Sequence, residues 1–416
     1  MDVQQTRLRD DLEANAEFGA VAVEEGRGRT VLTGTAADRE AREYLMERLR
    51  DAGLDVRVDA VGNVAGRWTP ESADPDAAPV AAGSHLDSVP EGGIFDGPLG
   101  VYAALEAVRA MQDADFAPAR PVEVVSFTEE EGQRFAGGLV GSSVASGDVG
   151  VEEALAFEDD DGVSLETALD GIDARGEGRI DAADWRAWFE LHVEQAERLE
   201  RAGVPAGVVT TITGLSRCRV EIRGEANHAG STAMDERTDA LAAASEFVLD
   251  VESAADEVVA DESDTAVATV GKLDVRPNAP NVIADAVELT VDVRDVRHGS
   301  VDRIAERARA SLDRLEAERG VETTLERPWD REPVPMSERC REALHEAGAS
   351  AGIGTLDLHS GAAHDTMHVA NVTDAALLFA PSEDGISHNP REWTDWEDCA
   401  AATRVLAGAI ARLAAE

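Results

Sequence analysis

The chain has 416 residues, 43% of them hydrophobic, which is enough apolar material for two domains with buried cores and excludes general disorder. Asp and Glu number 84 against 38 Lys and Arg, so the formal net charge is -46, and Lys272 is the one lysine. This excess of carboxylates argues against binding to nucleic acid or to anionic membrane surfaces. It is typical of a protein from a salt-loving cytoplasm, where concentrated salt screens the repulsion between like charges.

Targeting signals and disulfides are not predicted. The charged segment MDVQQTRLRDDLE lacks the apolar region of a signal peptide, and no apolar run approaches the roughly 18 residues of a membrane span. Cys218, Cys340 and Cys399 are an odd and widely spaced set, which builds no disulfide framework. We therefore expect a soluble cytoplasmic protein.

The first two hundred residues alternate between helix and strand signals. Residues 38–52 have helical periodicity, and residues 79–84 form a short apolar strand that stops at His85. Residues 98–112 suit a buried helix, and residues 121–128 read as a buried strand. Such alternation predicts an α/β domain with a mixed, mostly parallel sheet.

A different rhythm begins near residue 217. The segments that follow predict the order β-α-β-β-α-β up to residue 327, which matches a ferredoxin-like α+β unit. Residues 328–416 return to alternating helix and strand signals. We therefore predict a discontinuous catalytic domain, residues 1–212 and 328–416, into which residues 213–327 are inserted as a smaller domain.

Polar residues with metal-binding side chains stand at the ends of the predicted strands of the larger domain. They are His85 and Asp87 after the strand 79–84, Glu129, Glu130 and Glu131 after the strand 121–128, His192 in the apolar run 185–193, His388 after the strand 375–381, and Asp96 in the glycine-rich turn GGIFDGPLG. The carboxyl ends of strands in an open α/β sheet converge on the ligand crevice. These side chains are therefore expected in one crevice.

Three histidines, one aspartate and one glutamate suit two zinc-like ions that share a bridging carboxylate. Of the neighbours Glu130 and Glu131, one would bind metal while the other takes the proton of an attacking water. Each feature alone has an ordinary explanation, namely a hydrogen-bonded structural histidine, a solvated acidic run or a simple glycine turn. Their joint placement at strand ends favours a site.

Six segments resemble one protein family, in the right order and over nearly the whole chain. They are GSHLDSV (83–89), GGIFDGPLGV (92–101), EEEGQRF (129–135), ELHVEQ (190–195), GEANHAGSTAM (224–234) and PSEDGISH (381–388). They resemble the hydantoinase/carbamoylase family of di-metal amidohydrolases, which is related to the di-zinc exopeptidases. The resemblance implies a catalytic domain of the di-zinc exopeptidase type, with an inserted lid domain that also mediates a homodimer.

The resemblance also implies residue roles at the metal site. His85, Asp96 and His192 resemble the ligands of one ion. Asp96, Glu131 and His388 resemble those of the other, with zinc expected first and manganese, cobalt or nickel as alternatives. Glu130 matches the general base, and Asp87 matches the carboxylate that orients a histidine ligand.

Four further residues resemble those that hold the substrate. His228 resembles a histidine that reaches the site of the partner subunit and helps stabilise the oxyanion. Asn281 and Arg294 resemble lid residues, and Arg294 would hold the substrate carboxylate as a bidentate fork. Gln195 resembles a residue that contacts the ureido end of the substrate.

The implied reaction is hydrolysis of the terminal C–N bond of an N-carbamoyl-L-amino acid or of 3-ureidopropionate, which gives an amino acid, ammonia and carbon dioxide. Allantoate is an alternative substrate. A related peptidase or N-acyl amino acid deacylase is another alternative, although such relatives usually place a carboxylate where HVEQ has His192. A non-catalytic binding protein would be expected to lose a ligand or the base, and this sequence retains all of them.

Overall fold

Two structural units make up the computed structural model, which describes residues 1–135 and 137–416. The first unit contains Met1–Thr210 and Pro335–Glu416, and the second contains Thr211–Val334. The chain thus leaves the first unit once and returns to it once.

Helices and strands alternate along the chain. The helices are α1 (Gln5–Asn15), α2 (Ala36–Asp51), α3 (Pro98–Asp113), α4 (Val140–Ser146), α5 (Val151–Leu155), α6 (Leu165–Asp170), α7 (Arg198–Ala202), α8 (Ala240–Asp261), α9 (His298–Arg319), α10 (Glu338–Ala351), α11 (Thr366–Val369) and α12 (Trp396–Ala414). The strands are β1 (Ala20–Val21), β2 (Gly28–Arg29), β3 (Asp55–Val58), β4 (Val64–Trp68), β5 (Val80–His85), β6 (Val122–Phe127), β7 (Ala187–Val193), β8 (Ala206–Ile212), β9 (Gly214–Arg223), β10 (Val267–Arg276), β11 (Ala286–Asp295), β12 (Glu322–Arg331), β13 (Val334–Pro335), β14 (Thr355–Ser360) and β15 (Ala375–Ala380).

The large sheet has the order β13-β8-β15-β7-β5-β6-β4-β3, with β14 paired to β8. Its centre is parallel, because β5 pairs in parallel with β6 and β7, and β7 pairs in parallel with β15. The flanking strand β4 runs antiparallel to β6, and β8 runs antiparallel to β15. All residues of β5, β6, β7 and β15 are buried, as expected of strands covered on both faces. The expected mixed, mostly parallel sheet is confirmed.

Helix α3 begins one residue after Gly97 and directly follows the turn that carries Asp96. Pro98 occupies its first position, where the missing amide proton costs no helical hydrogen bond. The helix is apolar nearly all round and buried along most of its length, so it packs inside the unit rather than on its surface. Because α3 is buried in this way, the turn at the amino end of the helix is held in place.

The second unit has the sheet order β10-β11-β9-β12, with every neighbouring pair antiparallel. Together with the helices α8 and α9, this is the β-α-β-β-α-β arrangement of a ferredoxin-like fold. The two helices pack on one face, where Cys218, Val220 and Ile222 of β9 alternate inward. Charged residues of the same strand lie between them and face the other way.

Residues 158–184 are rich in Asp and Gly, a composition that predicts a segment on the surface. That expectation is wrong for α6, where Leu165 and Leu169 are fully buried. The side chain of Ser164 accepts a hydrogen bond from the amide of Thr167 and so starts the helix. The sequence pattern did not predict this helix, because its few buried leucines lie among aspartates and glycines. Among the described residues, no helix is long and apolar enough to cross a membrane.

Candidate active site

The parallel centre of the large sheet brings the strand-end side chains together. His85 is the last residue of β5, and His192 lies in the neighbouring β7. Glu130 and Glu131 follow β6 on one side, and His388 follows β15 on the other. Because these four strands are parallel neighbours, their carboxyl ends meet at one edge.

Asp96 lies between the two groups of prospective ligands. Its Oδ1 atom is 3.5 Å from His85 Nε2 and 3.3 Å from His192 Nε2. Its Oδ2 atom is 3.6 Å from His388 Nε2, which is 3.4 Å from Glu131 Oε2. Two triads, His85–Asp96–His192 and Asp96–Glu131–His388, thus each place three ligand atoms within 4.8 Å of one another. The structure brings together all five expected ligands, with one oxygen of Asp96 facing each triad.

The backbone sets the tautomer of both buried histidines. His85 Nδ1 lies 3.1 Å from the carbonyl oxygen of Asp87, and His192 Nδ1 lies 3.1 Å from that of Val193. A carbonyl oxygen only accepts hydrogen bonds, so each Nδ1 carries the proton and donates it. Nε2 of each neutral ring then keeps its lone pair on the side of Asp96, which is the form that binds a metal.

Burial and close packing shift the pKa values of the acidic groups in this crevice. Burial, reinforced by the carboxylates of Asp365 and Glu131, raises the pKa of Glu130 well above its usual range. Burial and the carboxylate of Asp96 raise the pKa of Glu131 to about 8. Asp96 behaves differently, because His192 and His85 hold its pKa well below the usual range despite burial.

Four carboxyl groups lie close to the two buried imidazoles of the crevice. The side chains of Asp87, Asp96, Glu130 and Glu131 are at most 10% exposed, and the imidazoles of His85 and His192 among them are 0% and 2% exposed. Buried charges require partners, and mixed imidazole and carboxylate ligands suit zinc-like ions.

Two buried polar atoms also support the presence of a metal site. Within the described part of the chain, His85 Nε2 and Glu131 Oε1 are buried and have no hydrogen-bond partner. Buried polar atoms are rarely left unpaired unless an ion or a water completes them. The residues present therefore fit a pair of divalent cations.

The loop after β6 is fixed by two acidic side chains. The carboxylate of Asp87 accepts the amides of Glu130 (3.3 Å) and Glu131 (3.1 Å). Its Oδ1 atom is 3.6 Å from His85 Nδ1, so the carbonyl rather than the carboxylate of Asp87 makes the shorter contact to that ring. Glu129 accepts the amides of Arg134 (2.8 Å) and Phe135 (2.7 Å), and this ties the end of the loop back to its start.

The turn that carries Asp96 is held by a glutamate that the sequence did not mark as part of the site. The buried carboxylate of Glu392 accepts the amides of Phe95 (3.1 Å) and Asp96 (3.0 Å). Ser387 Oγ lies 2.8 Å from both Asp96 Oδ2 and Glu392 Oε2, so its single proton can be donated to either carboxylate. Ser387 directly precedes His388 in a family-like segment, but no motif or periodicity marks Glu392.

Gly97 is required where the turn passes His85. Its φ of +80° lies in the left-handed region, and a Cβ at this position would lie 2.5 Å from His85 Cε1. Any larger residue would therefore displace the imidazole. Gln195 and His388 also have positive φ values, +60° and +53°, which cost about 1 kcal/mol or more each in residues with a side chain. Such backbone strain concentrates at functional sites.

Gln195 joins the two halves of the crevice. Its side-chain amide donates to Asp96 Oδ2 (3.0 Å) and to Ser387 Oγ (3.2 Å), and it lies 3.5 Å from His388 Nε2. The structure thus places this expected substrate residue directly beside the prospective ligands. His364 is a further neighbour that we did not assign, and its ring meets that of His192 edge-on at 4.5 Å.

The other expected substrate residues belong to the second unit. The exposed His228 lies in a tight turn, and the backbone of Asn281 pairs with that turn through a 3.0 Å hydrogen bond from the amide of Ala229. Arg294 contacts Asp292 on the same strand, with Nε 2.8 Å from Oδ1 and Nη2 3.3 Å from Oδ2. The guanidinium thus binds the carboxylate of Asp292, and a carboxylate is also the group of the substrate that Arg294 is expected to bind.

Comparisons with known proteins agree with the motifs. Residues 81–412 match the family model of peptidase family M20/M25/M40. The N-carbamoyl-L-amino acid amidohydrolase of Geobacillus stearothermophilus is 40% identical over 407 residues, 96% of each chain. The allantoate amidohydrolase of Bacillus subtilis is 34% identical over 98% of this chain and 97% of its own. A solved hydantoinase/carbamoylase family amidase from Burkholderia multivorans is 36% identical, with a TM-score of 0.93 over 100% of this chain and 99% of the other. The expected family is confirmed: the chain belongs to peptidase family M20/M25/M40 and, within it, to the hydantoinase/carbamoylase amidohydrolases.

Proposed function

We propose that this protein hydrolyses the terminal C–N bond of N-carbamoyl-L-amino acids with two divalent cations in the crevice at the strand ends. The observation that carries the proposal is the position of Asp96, whose two oxygens face two separate ligand triads. Hydrolysis of the ureido group gives ammonia and a carbamate, and the carbamate breaks down to the free amino acid and carbon dioxide. The amidohydrolase names of the full-length relatives support this choice.

Zinc is the first expectation for the cations, because the proposed ligands are imidazoles and carboxylates. His85, Asp96 and His192 would hold one ion, and Asp96, Glu131 and His388 the other. When bound, such ions lower the pKa of water and polarise a carbonyl group. The backbone carbonyls that accept hydrogen bonds from Nδ1 of His85 and His192 leave the Nε2 lone pair of each ring available for this role.

Glu130 is the proposed general base. Its Oε2 atom lies 3.8 Å from His85 Nε2, at the edge of the ligand cluster, while its neighbour Glu131 faces His388. The side chain would accept the proton of the attacking water and deliver it to the nitrogen that leaves as ammonia. The amides of Glu130 and Glu131 donate to the carboxylate of Asp87, which holds the backbone of both glutamates so that their side chains would keep separate tasks.

Substrate selection is proposed for residues of both units. Gln195 would contact the ureido end, since it lies beside Asp96 and His388. Arg294 would bind the substrate carboxylate by exchanging it for Asp292, and Asn281 would assist from the loop that pairs with the turn of His228. His228 would donate a hydrogen bond to the ureido oxygen as negative charge develops there.

We further propose that the active form is a homodimer in which His228, Asn281 and Arg294 serve the site of the partner subunit. The second unit presents several large apolar side chains to solvent, including Met234 (78% exposed), Leu249 (62%) and Trp329 (42%). Its sheet also ends in two unpaired edge strands, β10 and β12, within the described residues. Both features suit an interface between copies.

The direct test is ammonia release from a panel of compounds after loading with zinc, manganese, cobalt or nickel at high salt. The panel contains several N-carbamoyl-L-amino acids, 3-ureidopropionate and allantoate, with a dipeptide and an N-acetyl amino acid as representatives of peptidase or deacylase activity. Glu130→Gln, loaded in the same way, is the matched control. We expect ammonia from the carbamoyl amino acids in the wild type alone. Cleavage of the dipeptide or the N-acetyl compound, without ammonia from any carbamoyl compound, would contradict the proposal.

A further inference from the structure

The turn that follows His228 fixes the protonation of its ring. The amides of Gly230 and Ser231 donate to His228 Nδ1 at 3.0 and 3.1 Å. An amide N–H only donates, so Nδ1 must be an unprotonated acceptor. The neutral ring therefore carries its proton on Nε2, which makes this exposed histidine a hydrogen-bond donor through Nε2.

The same turn is held from its other side by Arg237. Its Nη2 atom donates to the carbonyl oxygens of Ala229 (2.7 Å) and Thr232 (3.0 Å), and its Nε atom lies 3.3 Å from the oxygen of Thr232. One guanidinium therefore fixes two carbonyls, one on each side of the amides that bind the ring. A planar fork of donors is suited to this and a lysine ammonium is not.

The geometry of a trans peptide links these two sets of contacts. The carbonyl of Ala229 and the amide of Gly230 belong to one planar peptide unit, in which the C=O and N–H bonds point in opposite directions. Holding the oxygen towards Arg237 therefore aims the N–H away from Arg237, towards His228 Nδ1. The hydroxyl of Thr232 donates to the carbonyl of His228 at 2.9 Å and closes the turn.

We propose that Arg237 is a positioning residue for catalysis, which acts by holding the turn 229–232 so that His228 is fixed in place with its proton on Nε2. This inference rests on the proposed role of His228 at the ureido oxygen. A ring with an Nε2 proton donates to the negative charge that develops there, whereas the other tautomer presents a lone pair to it. Arg237 itself is not placed in contact with substrate.

Nitrogen-15 NMR of the histidine-labelled, metal-loaded full chain tests the positioning claim without reference to activity. His228→Ala identifies the signals of His228. We expect the wild-type ring to have an unprotonated Nδ1 and a protonated Nε2, and Arg237→Ala to show a mixture of the two tautomers. A wild-type ring protonated on Nδ1, or an unchanged ring in Arg237→Ala, would overturn the inference.

Kinetics then test whether the positioning acts through His228. Arg237→Ala should lower kcat about 10-fold with little change in KM, which is less than the roughly 100- to 1000-fold expected when an oxyanion donor is removed outright, as in His228→Ala. In the His228→Ala background, Arg237→Ala should cause no further loss, because its route of action is already gone. Arg237→Lys should recover part of the rate at most.

An equal loss from Arg237→Ala in both backgrounds would show a merely structural role and overturn the inference. Arg223→Ala is the matched control, since Arg223 is an exposed arginine of the same unit that pairs with Glu221. If His228→Ala keeps the full rate, the proposed catalytic role of His228 fails, and the NMR result still decides how Arg237 acts on the ring.

Discussion

Histidines of the two units carry their protons on opposite nitrogens. In the first unit, backbone carbonyls accept from Nδ1 of His85 and His192, so that Nε2 has a lone pair. In the second unit, backbone amides donate to Nδ1 of His228, so that Nε2 carries the proton. The rings of His85 and His192 are fully buried among carboxylates, whereas the ring of His228 is exposed.

This contrast shows that the backbone, rather than the imidazole itself, decides which ring nitrogen is protonated, and so suits each ring to its proposed role. A carbonyl at Nδ1 produces a metal ligand at Nε2, and an amide at Nδ1 produces a hydrogen-bond donor there. The amide contacts to His228 require a tight turn, which NHAGST supplies with a glycine. The carbonyl contacts to His85 and His192 come from residues two and one positions further along the chain.

The largest expected effect distinguishes the proposed general base of the first unit, Glu130, from the proposed metal ligand Glu131. Glu130→Gln should keep both metals and the fold while kcat falls about 100- to 10,000-fold, as is common when a general base is removed. Glu131→Gln should instead lose one metal, because it removes a ligand charge beside His388. Metal analysis and ammonia release on the same samples check both. Exchanged phenotypes would show that the two roles are assigned to the wrong glutamates.

A second experiment tests whether His228 of one subunit acts at the site that contains Glu130 of the other subunit. Chains with His228→Ala and chains with Glu130→Gln, each inactive alone, should recover activity when mixed and re-paired. In a mixed dimer one site lacks both residues and the other has both, so random re-pairing should restore about a quarter of the wild-type rate. Mixed dimers verified by mass but without activity would remove His228 from the partner's site.

A third prediction concerns the support of Asp96, the residue that the two triads share. Glu392→Ala removes the acceptor of the Asp96 amide and of the Ser387 hydroxyl, so metal affinity should fall about 10- to 100-fold. Glu383→Ala, an exposed change in the same region, is the control and should have no effect. Competition with a chelator gives both affinities. Equal affinities for the two variants would mean that Asp96 is held without Glu392.

The smallest expected effect concerns the surface rather than the crevice. With a net charge of -46, the folded chain repels itself at low ionic strength, and unfolding relieves the repulsion. Salt should therefore raise Tm by several degrees between dilute buffer and molar chloride, with sulfate adding to this through stronger apolar burial. Differential scanning calorimetry follows the change. A constant Tm would remove the salt-loving interpretation of the composition.

The sequence predicted the fold because its signals are local. Apolar runs that stop at His85 and at Glu129 mark strand ends, and parallel pairing brings such ends together without further information. The division of tasks between Glu130 and Glu131 was left open by the residues, and the family resemblance supplied the proposed assignment. Short-range periodicity missed α6, because its few buried leucines lie among aspartates and glycines.

Other features could not be predicted, because they depend on contacts between distant segments. Glu392 reaches the amides of Phe95 and Asp96 across nearly 300 positions of the chain, and no spacing rule links them. The tautomers of the histidines depend on whether Nδ1 meets a carbonyl or an amide, which only the folded backbone decides. The proposed role of Arg237 likewise depends on two carbonyls that carry no sequence signal.

Metal content and ammonia release, measured on the same preparations of His192→Ala and His228→Ala, test the division between the two units most directly. We predict that His192→Ala loses metal and activity together, because the Nε2 lone pair of His192 is a proposed ligand. His228→Ala should keep about two metals per subunit and lose about 100- to 1000-fold in kcat, because its Nε2 proton is a donor. Loss of metal from His228→Ala, or full metal retention in His192→Ala, would contradict this division of roles.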